Sequence, residues 1–162
     1  MTAYKILYVD DEPDLLRLGK TFLEKTGGFS VDTSESVPEG LSELRARSYD
    51  AVISDYMMPD MDGLDFLKAV RSEFSSLPFI LFTGRGREEV VIEAINNGAD
   101  FYLQKGGAAK AQFAELAHKL RMAIERQLAV AERAESEKRL SAIFHASPIH
   151  QMIMEFSTDR II

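Results

Sequence analysis

Five side chains in this sequence are of the kinds that handle phosphoryl groups: Asp10, Asp11, Asp55, Thr83 and Lys105. Three carboxylates brought together without a cation repel one another, and at least one would have its pKa pushed up. A bound divalent ion removes that conflict. Oxygen ligands alone, without His or Cys, favour magnesium or manganese over zinc. A carboxylate nucleophile, a magnesium ion, a hydroxyl and an ammonium form a complete phosphoryl-transfer set, in which an acyl phosphate forms on one Asp. Metal and Lys would neutralise the transferring group, and Thr would add a hydrogen bond. No strong base is needed, because an ionised Asp is already a nucleophile. All of this requires that residues spread over 96 positions meet at one place, and that depends on the elements carrying them.

Each of the five stands at or just beyond the end of a short apolar run. Residues 6–9 form the first run and stop at Asp10-Asp11-Glu12. Pro13 then opens a helix, where its missing N–H costs nothing. Leu15, Leu16, Leu18, Phe22 and Leu23 give that helix its buried face, and Gly27-Gly28 ends it. Residues 29–33 read as a second strand, followed by a helix with Ser36 and Glu39 at capping-box spacing. The run 51–54 is a third strand and ends on Asp55. Asp62 is placed to cap a helix burying Leu64, Phe66, Leu67 and Val70. Residues 78–82 form a fourth strand ending at Thr83, a helix covers 88–97, and residues 101–103 are a fifth strand ahead of Lys105. Strands alternating with helices predict βαβ crossovers and a doubly wound α/β sheet, parallel and covered on both faces. Ligands of such sheets sit at the carboxyl ends of the strands, where the five polar residues fall.

Residues 108–145 hold no Gly or Pro and are rich in Ala, Glu, Leu, Lys and Arg. Phe113, Leu116, Leu120, Ile124 and Leu128 trace an apolar stripe, whereas 132–139 is almost wholly charged or small. This predicts an extended C-terminal helix that leaves the domain as a connector. The organisation expected is a domain over 1–125, a connecting helix over 126–145 and a further segment over 146–162. The formal charge of −7 argues against nucleic-acid binding. No apolar run approaches the ~18 residues of a membrane helix, and no secretory signal opens the chain. With no cysteine, disulfides and thiolate metal sites are excluded. A cytoplasmic protein with no membrane partner is the expectation.

Over roughly residues 4–125 the sequence resembles the response-regulator receiver family of two-component systems. The matching motifs are Tyr8-Val9-Asp10-Asp11-Glu12, the run Asp55-Tyr56-Met57-Met58-Pro59-Asp60-Met61-Asp62-Gly63, Thr83-Gly84, and Lys105. The resemblance implies a flavodoxin-like, five-stranded sheet of order 2-1-3-4-5. It implies that Asp55 is the phospho-acceptor and that Asp10, Asp11, Asp55 and the Met57 backbone carbonyl hold Mg2+, with Mn2+ as a substitute. Thr83 would contact the phosphoryl group and Lys105 would pair with it. Tyr102 would turn inward as Thr83 moves, coupling the site to the face of the fourth helix, fifth strand and fifth helix. The implied partners are a histidine kinase or phosphotransfer protein, and a second copy of the chain through that face or the C-terminal helix. The chain departs from the family at Gly106, where Pro is usual; a trans bond and a looser loop follow. The basic loop Gly84-Arg85-Gly86-Arg87 is placed to admit phosphodonors.

The segment from Leu140 to Pro148, with Thr158-Asp159-Arg160-Ile161-Ile162, resembles the opening of a PAS sensor domain. It implies a chain cut within its second domain, whose parent is a hybrid histidine kinase. The isolated receiver would be no enzyme beyond its own phosphorylation and dephosphorylation. Two other functions compete. A receiver-fold interaction module would have lost phosphorylation, which the complete residue set opposes. A magnesium-dependent aspartyl phosphohydrolase would show a second acid two residues after the nucleophile, where Met57 stands. His118 is followed by Lys119 rather than an acid and reads as a solvent-facing helix residue, and His145 and His150 are too isolated for a metal site.

Overall fold

A computed structural model of the chain describes residues 2–84 and 86–146, with side chains through residue 143. Ten elements alternate along it: β1 (Tyr4–Val9), α1 (Pro13–Lys25), β2 (Phe29–Ser34), α2 (Val37–Ala46), β3 (Ala51–Ser54), α3 (Gly63–Glu73), β4 (Phe79–Thr83), α4 (Glu88–Asn96), β5 (Phe101–Gln104) and α5 (Ala109–Ala146). The strands form one parallel sheet in the order β2-β1-β3-β4-β5, as the resemblance implied.

β1, β3 and β4 are buried on both faces, which is why they read as unbroken apolar runs rather than alternating ones. Alternate side chains feed two cores. Ile6, Tyr8, Ile53, Ile80 and Phe82 meet α1 and α5 on one face. Leu7, Val9, Val52, Phe79 and Leu81 meet α2, α3 and α4 on the other. The helix starts follow local chemistry. Pro13 occupies the first turn of α1. Asp62 and Asp65 form a reciprocal capping box at α3, Asp65 N–H donating to Asp62 Oδ1 at 2.9 Å and Asp62 N–H to Asp65 Oδ2 at 3.2 Å.

Three local expectations change. Leu18 is 41% exposed, and the inward position beside it belongs to Gly19, because a Cβ there would lie 2.6 Å from the Tyr8 ring. Ser36 does accept from the Glu39 N–H at 3.3 Å, but Glu39 Oε2 accepts from the Glu35 N–H rather than that of Ser36. The apolar stripe of α5 ends at Ile124, and Leu128 is 52% exposed.

The chain divides into two compact units, Met1–Gln127 and Leu128–Ile162. Of the second unit, the described part is helical through Ala146, and Leu128, Val130, Leu140 and Ile143 on it are exposed. The segment likened to a PAS domain lies, from residue 147 on, outside the described residues, as do His150 and Arg85. No described helix is long and apolar enough to cross a membrane.

Candidate functional site

The carboxyl ends of β1, β3 and β4, with the residues just after β1, β3 and β5, surround a cavity of about 350 Å3 lined by Asp11, Glu12, Asp55, Met57, Thr83, Gly84 and Lys105. Carboxylate oxygens of Asp10, Asp11 and Asp55 lie within 4.8 Å of one another. Parallel pairing accounts for this: Val9 is in register with Ser54 and Leu81 is paired to Ser54, so residues one step beyond the strands share one rim. The expected set of five therefore assembles.

The residues differ in environment. Asp10 is 0% exposed and Asp55 6%, whereas Asp11 is exposed to solvent. Asp10 Oδ1 accepts from the Glu12 N–H at 3.0 Å, fixing the turn between β1 and α1. Asp55 Oδ1 accepts from the Tyr56 N–H at 2.8 Å. Lys105 Nζ donates to Asp10 Oδ2 at 2.8 Å and stands 3.5 Å from Asp55 Oδ1. The ammonium thus bridges the two buried acids, favouring Asp10, and lies 5.6 Å above the Phe82 ring. Thr83 is buried at the end of β4 and lines the cavity.

Burial pushes the Asp10 carboxyl up from its ordinary 3.8 to about 6; the neighbouring Asp55 acts the same way, and Lys105 and the Glu12 amide oppose it. Because the folded protein holds this proton more tightly than the unfolded chain, Asp10 supports stability fully below about pH 4. That support is lost as pH rises through about 6. Asp10→Asn is therefore expected to stabilise metal-free protein at pH 8 by on the order of 2 kcal/mol. The gain shrinks towards pH 4, as the parent takes up its proton. Urea unfolding at both pH values in chelator reads it, and a variant weaker than the parent at pH 8 would refute the assignment.

Two supports of the site were not legible as such. Gly63 opens α3 where a Cβ would stand 2.3 Å from the Asp55 carbonyl oxygen, and its N–H donates to the Tyr56 carbonyl at 2.9 Å. Glu12 lines the cavity beyond the acid pair; its place directly after that pair was the available signal. Gly106 takes φ 154° and Gly107 φ 80°, with no cis peptide among the described residues. The Gly106 N–H donates to Gln112 Oε1 at 3.4 Å, a contact Pro could not make. Tyr102 packs against the core formed with α3 and α4, its hydroxyl so close to Gly86 that a Cβ there would overlap it.

Comparison with known proteins agrees with this geometry. The family described as response regulator receiver domain matches residues 6–121. Response regulator Rre1 of Synechocystis is 38% identical over 62% of this chain and 44% of its own length. The KDP operon transcriptional regulatory protein KdpE of Escherichia coli is 36% identical over 76% of this chain and 52% of its own. The chain thus spans about half the length of these curated relatives. Among solved structures, a receiver domain from Clostridium thermocellum superposes with a TM-score of 0.71 at 33% identity, covering 78% of this chain and 98% of that one. The response regulator TrrA of Thermotoga maritima, solved in complex with Mg2+ and BeF, gives 0.66 at 31% identity, covering 76% and 99%.

Proposed function

This chain belongs to the response regulator receiver family, the phospho-accepting modules of two-component systems, and from that premise we propose that Asp55 is its phospho-acceptor. The observation that carries the assignment is the buried Asp55 carboxylate, within 4.8 Å of two further acids and 3.5 Å from Lys105. An Asp55 oxygen attacks the phosphorus of a phosphohistidine on a histidine kinase or phosphotransfer protein. The P–N bond breaks and its electron pair stays on the imidazole, leaving an acyl phosphate. Asp10, Asp11, Asp55 and the Met57 carbonyl are the residues that would hold Mg2+ or Mn2+, and the all-oxygen donor set fits such an ion. Bound there, the ion would neutralise charge on the transferring oxygens. Lys105 then turns from Asp10 towards the phosphoryl group, and Thr83 closes on it from β4. Beyond this self-phosphorylation and self-dephosphorylation, the receiver needs no further enzymatic activity.

The exposed Ile92 and Ile95 on α4 and Met122 on α5 support output through the face of α4, β5 and α5. Thr83 and Tyr102 act as the switch, the phosphoryl group selecting one of two conformations. A homodimer through this face or α5 is the form that output takes. The acidic charge supports no nucleic-acid contact by this chain's own residues. Transcriptional regulation is named for KdpE, of which this chain spans about half. The finer architecture we infer is a cytoplasmic hybrid kinase in which the C-terminal helix leads to a PAS-like segment.

Incubation with acetyl phosphate and Mg2+ is expected to add a single phosphoryl group by intact mass, and chelator to prevent it. The same sample should sediment as a dimer where unphosphorylated protein does not. No adduct together with no beryllofluoride complex would favour the interaction-module reading instead.

A further inference from the structure

Beneath the site is a polar group that nothing yet described uses. Tyr8 stands on β1 two residues before Asp10, whose N–H continues the strand pairing by donating to the Ser34 carbonyl at 3.1 Å, so strand alternation directs both side chains to one side of the sheet. The Tyr8 side chain is 0% exposed, and its hydroxyl has no hydrogen-bond partner. Nothing about this placement is loose. The ring lies in the core against α1 and α5, and Gly19 is a glycine at the point where any side chain would collide with it. A Cβ at Gly19 would also come within 3.1 Å of Phe113. Burial keeps the phenol protonated well above its usual range, and the nearby carboxylates of Asp10, Asp55 and Glu12 act in the same direction. The group is therefore a hydrogen-bond donor at any working pH.

A buried hydroxyl with no partner costs the fold free energy that a Phe would not. Asp10 faces the converse difficulty in the other state of the protein. Its Oδ2 accepts from Lys105 at 2.8 Å. If Lys105 turns to a phosphoryl group on Asp55, as the proposed function holds, a fully buried carboxylate oxygen loses its donor. One state leaves a buried donor idle, and the other takes the Lys105 hydrogen bond away from Asp10, leaving the Glu12 N–H and the proposed metal to hold it. We propose that Tyr8 is a positioning residue of the phosphorylated state, its hydroxyl donating to Asp10 when Lys105 transfers its hydrogen bond to the phosphoryl group. The hydroxyl then helps to orient the Asp10 carboxylate towards the metal that it would hold, while Lys105 is engaged by the phosphoryl group.

This inference rests on the assignment of Asp55 and Lys105 above, and Tyr8→Phe tests it separately. Phe keeps the ring against Gly19 and removes only the hydroxyl. Without phosphoryl mimic, the variant is expected to melt at or above the temperature of the parent. With Mg2+ and beryllofluoride, it is expected to bind about tenfold more weakly, the loss of one charge-assisted hydrogen bond. The difference should hold from pH 7 to 9. Equal beryllofluoride affinity in variant and parent would overturn the role of Tyr8 while leaving Asp55 assigned. A variant destabilised equally with and without the mimic would overturn it too, since the hydroxyl would then be serving the fold alone. Failure of the parent itself to bind beryllofluoride would remove the underlying assignment.

Discussion

Asp55→Asn is expected to abolish the phosphoryl adduct, lowering its yield at least about a thousandfold, because a neutral amide is no nucleophile towards phosphorus. The replacement preserves shape. The Asn oxygen can still accept from the Tyr56 N–H that Asp55 Oδ1 accepts at 2.8 Å. It also removes one of three acidic groups within 4.8 Å, so the metal-free variant should be at least as stable as the parent. Loss of the adduct in a protein that melts no lower would therefore be a chemical loss and not an unfolding. Intact mass after acetyl phosphate and Mg2+, beside a thermal melt, gives both readings. An adduct that persists in the variant would transfer the acceptor role to Asp10 or Asp11.

Gly63→Ala should be strongly damaging for a single added methyl. The added Cβ would stand 2.3 Å from the Asp55 carbonyl oxygen, 2.8 Å from Leu81 Cδ1 and 3.0 Å from Tyr56 Cα. Two of these are backbone and the third is a core side chain, so no surface rotamer relieves the overlap. Either α3 lifts from the sheet or the chain at Asp55 and Tyr56 moves. Overpacking of this kind costs about 3 kcal/mol, and more where the backbone must shift. Moving Asp55 also disperses the carboxylates, so Mg2+ affinity is expected to fall by at least about tenfold. Urea unfolding and a Mg2+ titration followed by tyrosine fluorescence measure the two effects, the chain having no Trp. Wild-type stability in Gly63→Ala would show that this contact is not the constraint described.

The two effects separate what kinds of information the chain carries. Residues 51–54 and 78–82 could be read as strands because a sheet covered on both faces demands apolar side chains at every position, and that pattern is local. Asp62 could be read as a cap because an N-cap is made within a few residues, and the box with Asp65 is there. The five site residues were legible because each follows a strand, and in a parallel sheet all such ends share one edge. Their roles came from resemblance, since spacing alone does not say which Asp is attacked.

The local pattern gave less where two elements compete for the same space. Helical spacing places Leu18 inward, but the bulk of Tyr8 reserves that place for Gly19. The stripe on α5 runs on to Leu128 by periodicity, while the core it covers ends at Ile124.

By itself, then, the sequence determined the order and type of the elements and the set of polar residues at the strand ends, because hydrophobic period, capping and turn chemistry act over a few residues. Only the tertiary structure decided that Lys105 bonds Asp10 in preference to Asp55, across 95 positions. It also decided that Asp10 is sealed from water and carries a raised pKa, and that the Tyr8 hydroxyl is buried without a partner. The physical reason is that desolvation, charge pairing and steric exclusion depend on what the rest of the chain brings against a group. No window of neighbouring residues contains that.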